Sequence, residues 1–473
     1  MKIQEHSTPY STVYPTLSAT ELPTPSSLEP LIPSTKPVVS SSTVLPELLT
    51  STLPDLLTSK MTTPLSRKNH LIFTPDIHDG TRIDLVSSIL SLNQSILISS
   101  NKPHLPRYYR SPYPIYNTFN PQNPDRQLVN PTIPVLKRDS PVIYTTESFL
   151  QKNYLSVRNH EGFAQADCVV CMFYPSICQF YIPFNKTIVF LPAHRFLLKR
   201  CNRQQNNKLI KWMFDYPNQI LTIAASVYDR EYINYFTGKT VPIIYSSSLF
   251  AYPQPAKYSP KYSEILVAPL RLKDVPYYKD MMEGCRRNNI SCEFTTLKSK
   301  VGDNWKFEAL YRFKAVIVFP YAMLSYYLND LMASCVPMFV PSPQFLANLG
   351  CVRDYRNSDK YYCKSKFTPP ARSPLTKHPY SPEDGSFAAR VYWYQFATFY
   401  TNATTQFDSW DDLGAKLRST DLEAKFRERR QENIRIMEHN TKEWNKVFGK
   451  IRNGTMPSSY NEALKEFNVQ SFF

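Results

Sequence analysis

The segment from residue 313 to residue 341 predicts a strand, a helix and a second strand in direct succession. Residues 315–319 (AVIVF) form a continuous apolar run, typical of a strand buried on both faces. Residues 325–334 follow helical spacing, and residues 337–341 (PMFVP) form a second apolar run. This order fits a parallel β-α-β unit, in which ligands bind where strands end and helices begin. The segment therefore predicts a buried parallel sheet with a binding site at its carboxyl edge.

Strand and helix patterns alternate along most of the chain and predict an α/β fold. Near the start, residues 71–73 and 95–98 are strand-like, with a loop over 75–84 and a helix over 85–92 between them. Residues 422–449 are charged and predict a pair of long helices. The predicted divisions are a disordered Ser/Thr/Pro-rich tail or stalk at 1–66, a Rossmann-like domain at 67–247, a hinge at 248–263, a second Rossmann-like domain at 264–412, and crossing helices with a tail at 413–473.

The charge balance favours anionic partners. The chain has 473 residues and a formal net charge of +16, which suits nucleotide phosphates, acidic glycans or nucleic acid. No nucleic-acid-binding motif occurs, so nucleic acid is not an expected partner. No run of 18 apolar residues and no signal-peptide pattern occur, so we expect membrane association only if an anchor lies upstream of this chain.

Nine cysteines predict neither a disulfide scaffold nor a zinc protein. Cys168 and Cys171 form a single Cys-x-x-Cys pair without a second pair, and they lie in a strand-like run. Zinc or redox chemistry at this pair is therefore a minor alternative to a buried strand. Cys351 and Cys363 flank a polar loop and could pair in an oxidising compartment.

The frame Asp-x-x-Ala-x-Cys-x-Pro, from Asp330 to Pro337, resembles the nucleotide-sugar segment of GT-B-fold glycosyltransferases. In that family a Glu-x-x-Ala-x-Gly-x-Pro frame places an acid on the hydroxyl groups of the donor. This chain has Asp in place of Glu and Cys335 in place of Gly, which removes the residue that tolerates a tight turn. An ordinary β-α-β unit, with Asp330 as a solvated helix residue, is the alternative reading of the segment.

The resemblance covers residues 70–448 and implies a donor site in the second domain. Arg271 and Lys273 match the basic loop that meets the donor pyrophosphate, although they could also be surface charges. Arg binds phosphate oxygens in a bidentate manner, and Lys acts as a point charge. Asp330 would hold donor hydroxyl groups, and Tyr321 could flank the base or the sugar. No metal site is implied, and the nucleotide sugar is a co-substrate rather than a resident cofactor.

The candidate catalytic residues follow predicted strands of the first domain. His78 and Asp79 lie on the loop that faces the interdomain cleft in GT-B enzymes. A His can remove a proton from an acceptor hydroxyl, and a carboxylate can orient that His. His194 follows another strand, at a sheet edge suited to chemistry. The alternatives are that Asp79 only forms a turn, that His78 is incidental and that His194 is structural.

The implied reaction is transfer of a sugar from a nucleotide sugar to a hydroxyl group of a glycan or glycoprotein acceptor. The chain contains no Asp-x-Asp motif, which argues for metal-independent transfer. Two alternatives stay open. One is a non-catalytic GT-B-like module that binds glycan or protein, and the other is a basic nucleic-acid binder supported only by the net charge.

Two sequence features favour the secretory pathway, with the Golgi lumen as the expected compartment. The tail resembles the O-glycosylated stalk of a Golgi enzyme. Five Asn-x-Ser/Thr sequons also suit a glycoprotein. These sequons begin at Asn93, Asn185, Asn289, Asn402 and Asn453.

Overall fold

The computed structural model describes most of the chain from residue 70 onward. The described residues are 70–75, 79–92, 94–98, 147–159, 161–172, 175–192, 203–216, 218–251, 257–269, 275, 277–302, 305, 307–320, 323, 325–349, 370–452 and 454–467. The predicted disordered tail, the sequons at Asn93 and Asn453, and the candidate pair Cys351 and Cys363 all lie outside these residues.

The first half of the fold, residues 70–251, contains a five-stranded sheet whose described pairings are all parallel. Its strands are β1 (Leu71–Thr74), β2 (Ser95–Ile98), β3 (Cys168–Cys171), β4 (Thr187–Phe190) and β5 (Ile220–Thr222). Its helices are α1 (Asp79–Ser91), α2 (Glu147–Arg158), α3 (Glu161–Gln165), α4 (Arg203–Asp215) and α5 (Val227–Thr237), with 3₁₀ turns at Pro175–Phe184 and Leu249–Ala251. The spatial order of the strands is β2-β1-β3-β4-β5.

The second half, residues 257–419, contains a second parallel five-stranded sheet. Its strands are β6 (Tyr262–Ala268), β7 (Phe294–Thr296), β8 (Phe313–Val318), β9 (Met338–Pro341) and β10 (Thr404–Phe407). Its helices are α6 (Tyr278–Arg287), α7 (Leu297–Val301), α8 (Tyr326–Ala333), α9 (Pro343–Asn348), α10 (Phe387–Tyr394) and α11 (Trp410–Ser419), with a 3₁₀ turn at Phe307–Arg312. The spatial order is β10-β9-β8-β6-β7.

The two sheets have the same topology. Counted from the first strand of each half, both follow the order 2-1-3-4-5, which is one of the two common doubly wound orders. The strands are short apolar runs, and β3, β4 and β9 are buried at every position. The predicted fold class, α/β with two Rossmann-like sheets, is confirmed.

Helix α1 begins earlier in the chain than the sequence predicts. The loop predicted over residues 75–84 is too long, because the helix begins at Asp79. Thr81, Arg82 and Asp84 look like loop residues in the sequence, yet each is at most 2% exposed. These polar side chains face the protein interior, so the start of the helix lacks the apolar stripe by which a helix is recognised.

The predicted helix pair at residues 422–449 is wrong, because this region is one helix of 27 residues, α12 (Leu422–Phe448). The side chain of Asp421 caps its start by accepting a hydrogen bond from the amide of Ala424 at 2.9 Å. No Gly or Pro interrupts it, and pairs such as Glu423 with Arg427 support its exposed face. The last helix, α13, spans Tyr460–Phe467.

Helix α12 packs against both halves. On the second half, the Asn433 side chain donates a hydrogen bond to the carbonyl of Met332 at 2.9 Å. On the first half, Trp444 and Phe448 belong to a buried apolar cluster that also contains Ile72 of β1. Another buried cluster contains residues of both sheets, so apolar packing continues between the halves.

Two disulfide bonds occur in the described residues, Cys171–Cys178 and Cys285–Cys292. Cys168 is a buried free thiol and Cys171 is bonded elsewhere, so the Cys-x-x-Cys pair is neither closed as a redox pair nor available as a metal-ligand pair. Disulfides persist mainly in oxidising compartments. These bonds are therefore compatible with the secretory pathway expected from the sequence.

Candidate functional site

Each sheet has a topological switch point, where ligands of doubly wound sheets bind. In the first half this point lies between β1 and β3, and in the second half between β6 and β8. Helix α1 begins beyond the carboxyl end of β1, and α8 begins beyond the carboxyl end of β8. Side chains in the first turns of these two helices are therefore the best placed to contribute to a site.

The segments that follow the switch-point strands contain most of the residues selected from the sequence. Arg271 and Lys273 follow β6, and Tyr321 follows β8; His78 follows β1, and His194 follows β4. These five residues lie outside the described residues. Asp79 is described only as the first residue of α1, without its side chain. The roles assigned to these residues stay predictions.

Asp330 is the predicted site residue whose surroundings the structure describes. It lies in the second turn of α8 and is 5% exposed, so the interpretation as a solvated helix residue is wrong. One of its carboxyl oxygens, Oδ1, accepts a hydrogen bond from the hydroxyl group of Ser248 at 2.8 Å. Burial raises the pKa of Asp330 to about 8, with the charge of Asp84 adding to the increase and the Ser248 hydrogen bond opposing it.

Asp84 of α1 is a buried carboxyl group that the sequence analysis did not select. Its oxygens accept hydrogen bonds from the Ser246 hydroxyl at 2.6 Å and from the backbone amides of Ser247 at 3.2 Å and Ser248 at 2.6 Å. Burial raises its pKa to about 6, and these three hydrogen bonds limit the increase. Asp84 thus fixes residues 246–248, which lead from the first sheet toward the second half.

Cys335 occupies the position that is Gly in the glycosyltransferase frame, and it retains the left-handed backbone conformation associated with Gly. Its φ angle is +59°, directly after the C-terminal residue Ser334 that caps α8. A left-handed residue at this point is a common helix ending. The thiol is fully buried and accepts a hydrogen bond from Asn433 of α12 at 3.2 Å. The turn of the frame is therefore present although its usual residue is absent.

This conformation reverses the usual ranking of two small substitutions. Cys335→Gly and Cys335→Ala both remove the thiol, but only Gly occupies the left-handed region without a steric cost. We expect Cys335→Gly to be more stable than Cys335→Ala by about 1 kcal/mol. Urea denaturation of both variants measures this difference in the free energy of unfolding, provided that this free energy has the same dependence on urea concentration in both. An Ala variant as stable as the Gly variant would contradict the left-handed assignment.

A second contact between the halves lies away from the switch points. Residues 370–386 pack on α5, where the amide of Ser373 donates to the carbonyl of Tyr235 at 3.0 Å. His378, which is 7% exposed, lies between the carboxylate of Glu231 at 3.1 Å and the hydroxyl group of Tyr392 at 2.8 Å. Because all its polar atoms are occupied within the protein, we read His378 as a structural residue.

Within the described residues, no cluster of three or more His, Cys, Asp or Glu side chains could hold a metal ion. In the same part of the chain, no helix combines the length and the apolar character needed to cross a bilayer.

Comparisons with known proteins give matches in structure only. The chain matches no protein-family model and no curated protein. It resembles CalG4, the calicheamicin glycosyltransferase, with 9% identity and a TM-score of 0.38 over 82% of this chain and 100% of that one. It resembles UGT2 of Phytolacca americana, complexed with UDP-2-fluoro-glucose and pterostilbene, with 10% identity and a TM-score of 0.39 over 81% and 99%. The spinosyn forosaminyltransferase SpnP matches with 12% identity and a TM-score of 0.36 over 81% and 100%.

At these identities and TM-scores the likenesses assign no activity and no residue role. Two doubly wound sheets in one chain, followed by a long helix that contacts both, constitute the GT-B architecture. The resemblance to GT-B glycosyltransferases is therefore confirmed at the level of the fold.

Proposed function

We propose that this protein is a glycosyltransferase that moves a sugar from a nucleotide sugar to a hydroxyl group of a glycan or glycoprotein acceptor. The observation that carries the proposal is the position of Asp330. It lies in the second turn of α8, beside the switch point of the second sheet, in a frame whose left-handed turn is preserved at Cys335. Segments containing Arg271, Lys273 and Tyr321 follow the two strands of that switch point.

In the proposed reaction, the acceptor hydroxyl attacks the anomeric carbon of the donor sugar while the bond from that carbon to the diphosphate breaks. Arg271 and Lys273 stabilise the negative charge that develops on the leaving diphosphate. His78, oriented by Asp79, or else His194, takes the proton of the acceptor hydroxyl. Asp330 accepts hydrogen bonds from donor hydroxyl groups. The reaction needs no metal ion in this proposal, and the expected compartment is the Golgi lumen.

The test is a binding and transfer screen with nucleotide sugars. Purified protein is screened by thermal shift against UDP-glucose, UDP-N-acetylglucosamine, GDP-mannose and GDP-fucose, and the strongest binder is then titrated by calorimetry. We expect Arg271→Ala to weaken binding roughly tenfold to a hundredfold, corresponding to about 1.5–3 kcal/mol for a hydrogen bond to a charged group. Raised salt should weaken binding to the wild type more than binding to this variant, because a screened cation has been removed.

Two controls accompany the screen. Lys314→Ala, at the exposed second position of β8, removes a cation at the amino edge of the same sheet, opposite the carboxyl edge of the proposed site, and should leave binding unchanged. Transfer measured with and without a metal chelator tests metal independence. Unchanged donor affinity in folded Arg271→Ala would remove the donor site from this part of the chain.

A non-catalytic GT-B-like module that binds glycan or protein is the second candidate. The observation that favours it is the hydrogen bond from Ser248 to Asp330, which employs one oxygen of the proposed donor-binding carboxyl group within the protein. Glycan binding without affinity for any nucleotide sugar would favour this candidate.

A further inference from the structure

Three residues from different parts of the chain are connected by successive hydrogen bonds between the two halves. Asp84 of α1 accepts from the backbone amide of Ser248 at 2.6 Å, and the hydroxyl group of Ser248 donates to Asp330 of α8 at 2.8 Å. Their exposures are 2%, 0% and 5%, respectively. We call this series the carboxyl bridge. At this point the segment that leaves the first sheet is hydrogen-bonded to α8, the helix beside the switch point of the second sheet.

The bridge occupies only one of the two oxygens of Asp330. Oδ1 accepts from Ser248, and within the described residues no hydrogen bond reaches the other oxygen, Oδ2. Ser248 itself has a left-handed φ of +47°, which is costly for a residue with a side chain and is maintained here by hydrogen bonds at both its amide and its hydroxyl group. The carboxyl group is thus held at one oxygen by a residue of the first half.

We infer that Ser248 and Asp84 are positioning residues for Asp330, which binds a donor hydroxyl through Oδ2 while the bridge holds Oδ1. This inference rests on the proposed function. A carboxylate selects hydroxyl groups by direction as well as by charge, so a fixed orientation improves binding. Because the fixing groups belong to the first half, the donor site of the second half is complete only while the halves are joined at the bridge.

The charges around the bridge give the inference a pH signature. The groups that act on the Asp330 carboxyl are the Ser248 hydroxyl and the charge of Asp84, and the groups that act on Asp84 are Ser246, Ser247 and Ser248. Among the described residues, Asp84 is the group whose charge raises the pKa of Asp330. Because the pKa of Asp330 is about 8, donor binding should strengthen as pH rises from about 7 to about 9 and the carboxyl group ionises.

The first experiment measures donor affinity against pH for the strongest binder of the nucleotide-sugar screen. Ser248→Ala should weaken binding about threefold to tenfold at pH 7, the effect of one hydrogen bond of about 0.7–1.4 kcal/mol. In Ser248→Ala, donor binding should strengthen at a higher pH than in the wild type, because the Ser248 hydroxyl lowers the pKa of Asp330. Asp330→Asn, which cannot ionise, should bind weakly with no dependence on pH in this range.

Ser246→Ala is the matched control. Ser246 donates to Asp84 but not to Asp330, so this variant removes a hydroxyl group two residues away and keeps the bridge. We expect it to bind the donor within about twofold of the wild type, with no shift of the profile to higher pH. A purely structural role for Ser248 would instead give folded Ser248→Ala an unshifted profile, and that result would overturn the inference.

A second measurement, on the protein without donor, separates failure of the inference from failure of the proposed function. The folded-state pKa values of Asp330 and Asp84 lie above the value of about 3.8 for an exposed Asp. Between these values the folded state holds protons that the unfolded state has lost, so the contribution of these two groups to the free energy of unfolding should fall as pH rises from about 4 to about 8. In Asp330→Asn this decline should be shallower.

The outcomes are distinct. If Asp330→Asn changes the pH dependence of stability as expected, but Ser248→Ala binds the donor as the wild type does, the buried carboxyl group is present and its positioning by Ser248 is wrong. If no nucleotide sugar binds the wild type at any pH, the proposed function is wrong and the positioning role is wrong with it. The pH dependence of stability would still test whether Asp330 and Asp84 have raised pKa values. If Asp330→Asn shows the same decline as the wild type, Asp330 is not the raised carboxyl group and the inference is overturned.

Discussion

Replacing Trp444 by Ala should destabilise the protein by about 3–5 kcal/mol, the usual cost of removing a large buried aromatic side chain. Trp444 is 1% exposed and stacks on Phe448 with their ring centroids 5.7 Å apart. Both side chains fill the apolar cluster beneath β1, together with Ile72, Leu85 and Ile89. The loss is a large part of the total stability of about 5–15 kcal/mol typical of a folded protein.

Urea denaturation measures this loss, and Lys442→Ala provides its control. Lys442 lies two residues earlier on the same helix at an exposed position, and Lys and Ala have similar helix propensities. The control should therefore lie within about 0.5 kcal/mol of the wild type. If Trp444→Ala lost less than about 1 kcal/mol, the docking of the end of α12 on the first half would be wrong.

Asn440→Ala should cost about 2–4 kcal/mol, because two backbone groups would lose their partner at once. The Asn440 side chain accepts from the amide of Tyr245 at 2.8 Å and donates to the carbonyl of Tyr245 at 2.8 Å. Its exposure is 6%. A single amide side chain therefore completes the hydrogen bonding of the segment that precedes the carboxyl bridge.

Hydrogen exchange at the amide of Tyr245 gives a local measure of the same change. Protection of this amide should fall in Asn440→Ala and persist in Glu438→Ala, a substitution at an exposed position of the same helix. Equal protection in all three proteins would show that another group satisfies this amide.

The fold was predictable from the sequence because its strands are short apolar runs, and such runs are the clearest signal of buried parallel sheets. Residues 315–319 and 337–341 were placed correctly within one or two residues. The helical character of residues 422–448 was predicted, but they form one helix and not the predicted pair. The start of α1 was not predicted, because its polar residues have partners that are distant in the sequence.

The candidate site was predictable only in part. Asp330 was found because its frame is local, with an acid, a turn and a strand within twelve residues. The carboxyl bridge could not be found in this way, since Asp84 lies 164 residues from Ser248, which in turn lies 82 residues from Asp330. No spacing rule connects such residues, and a serine run such as 246–248 is usually read as a loop.

The docking of α12 on the first half has a consequence for biosynthesis. The cluster beneath β1 cannot close until Trp444 has been made, 372 residues after Ile72. At about 5–20 residues per second, the ribosome needs roughly 20–75 s to bridge that interval. During this time the first sheet has an uncovered apolar face, which is the kind of surface that chaperones recognise. A released fragment that ends before residue 444 should therefore remain chaperone-bound, whereas the chain of 473 residues should be released from the chaperone.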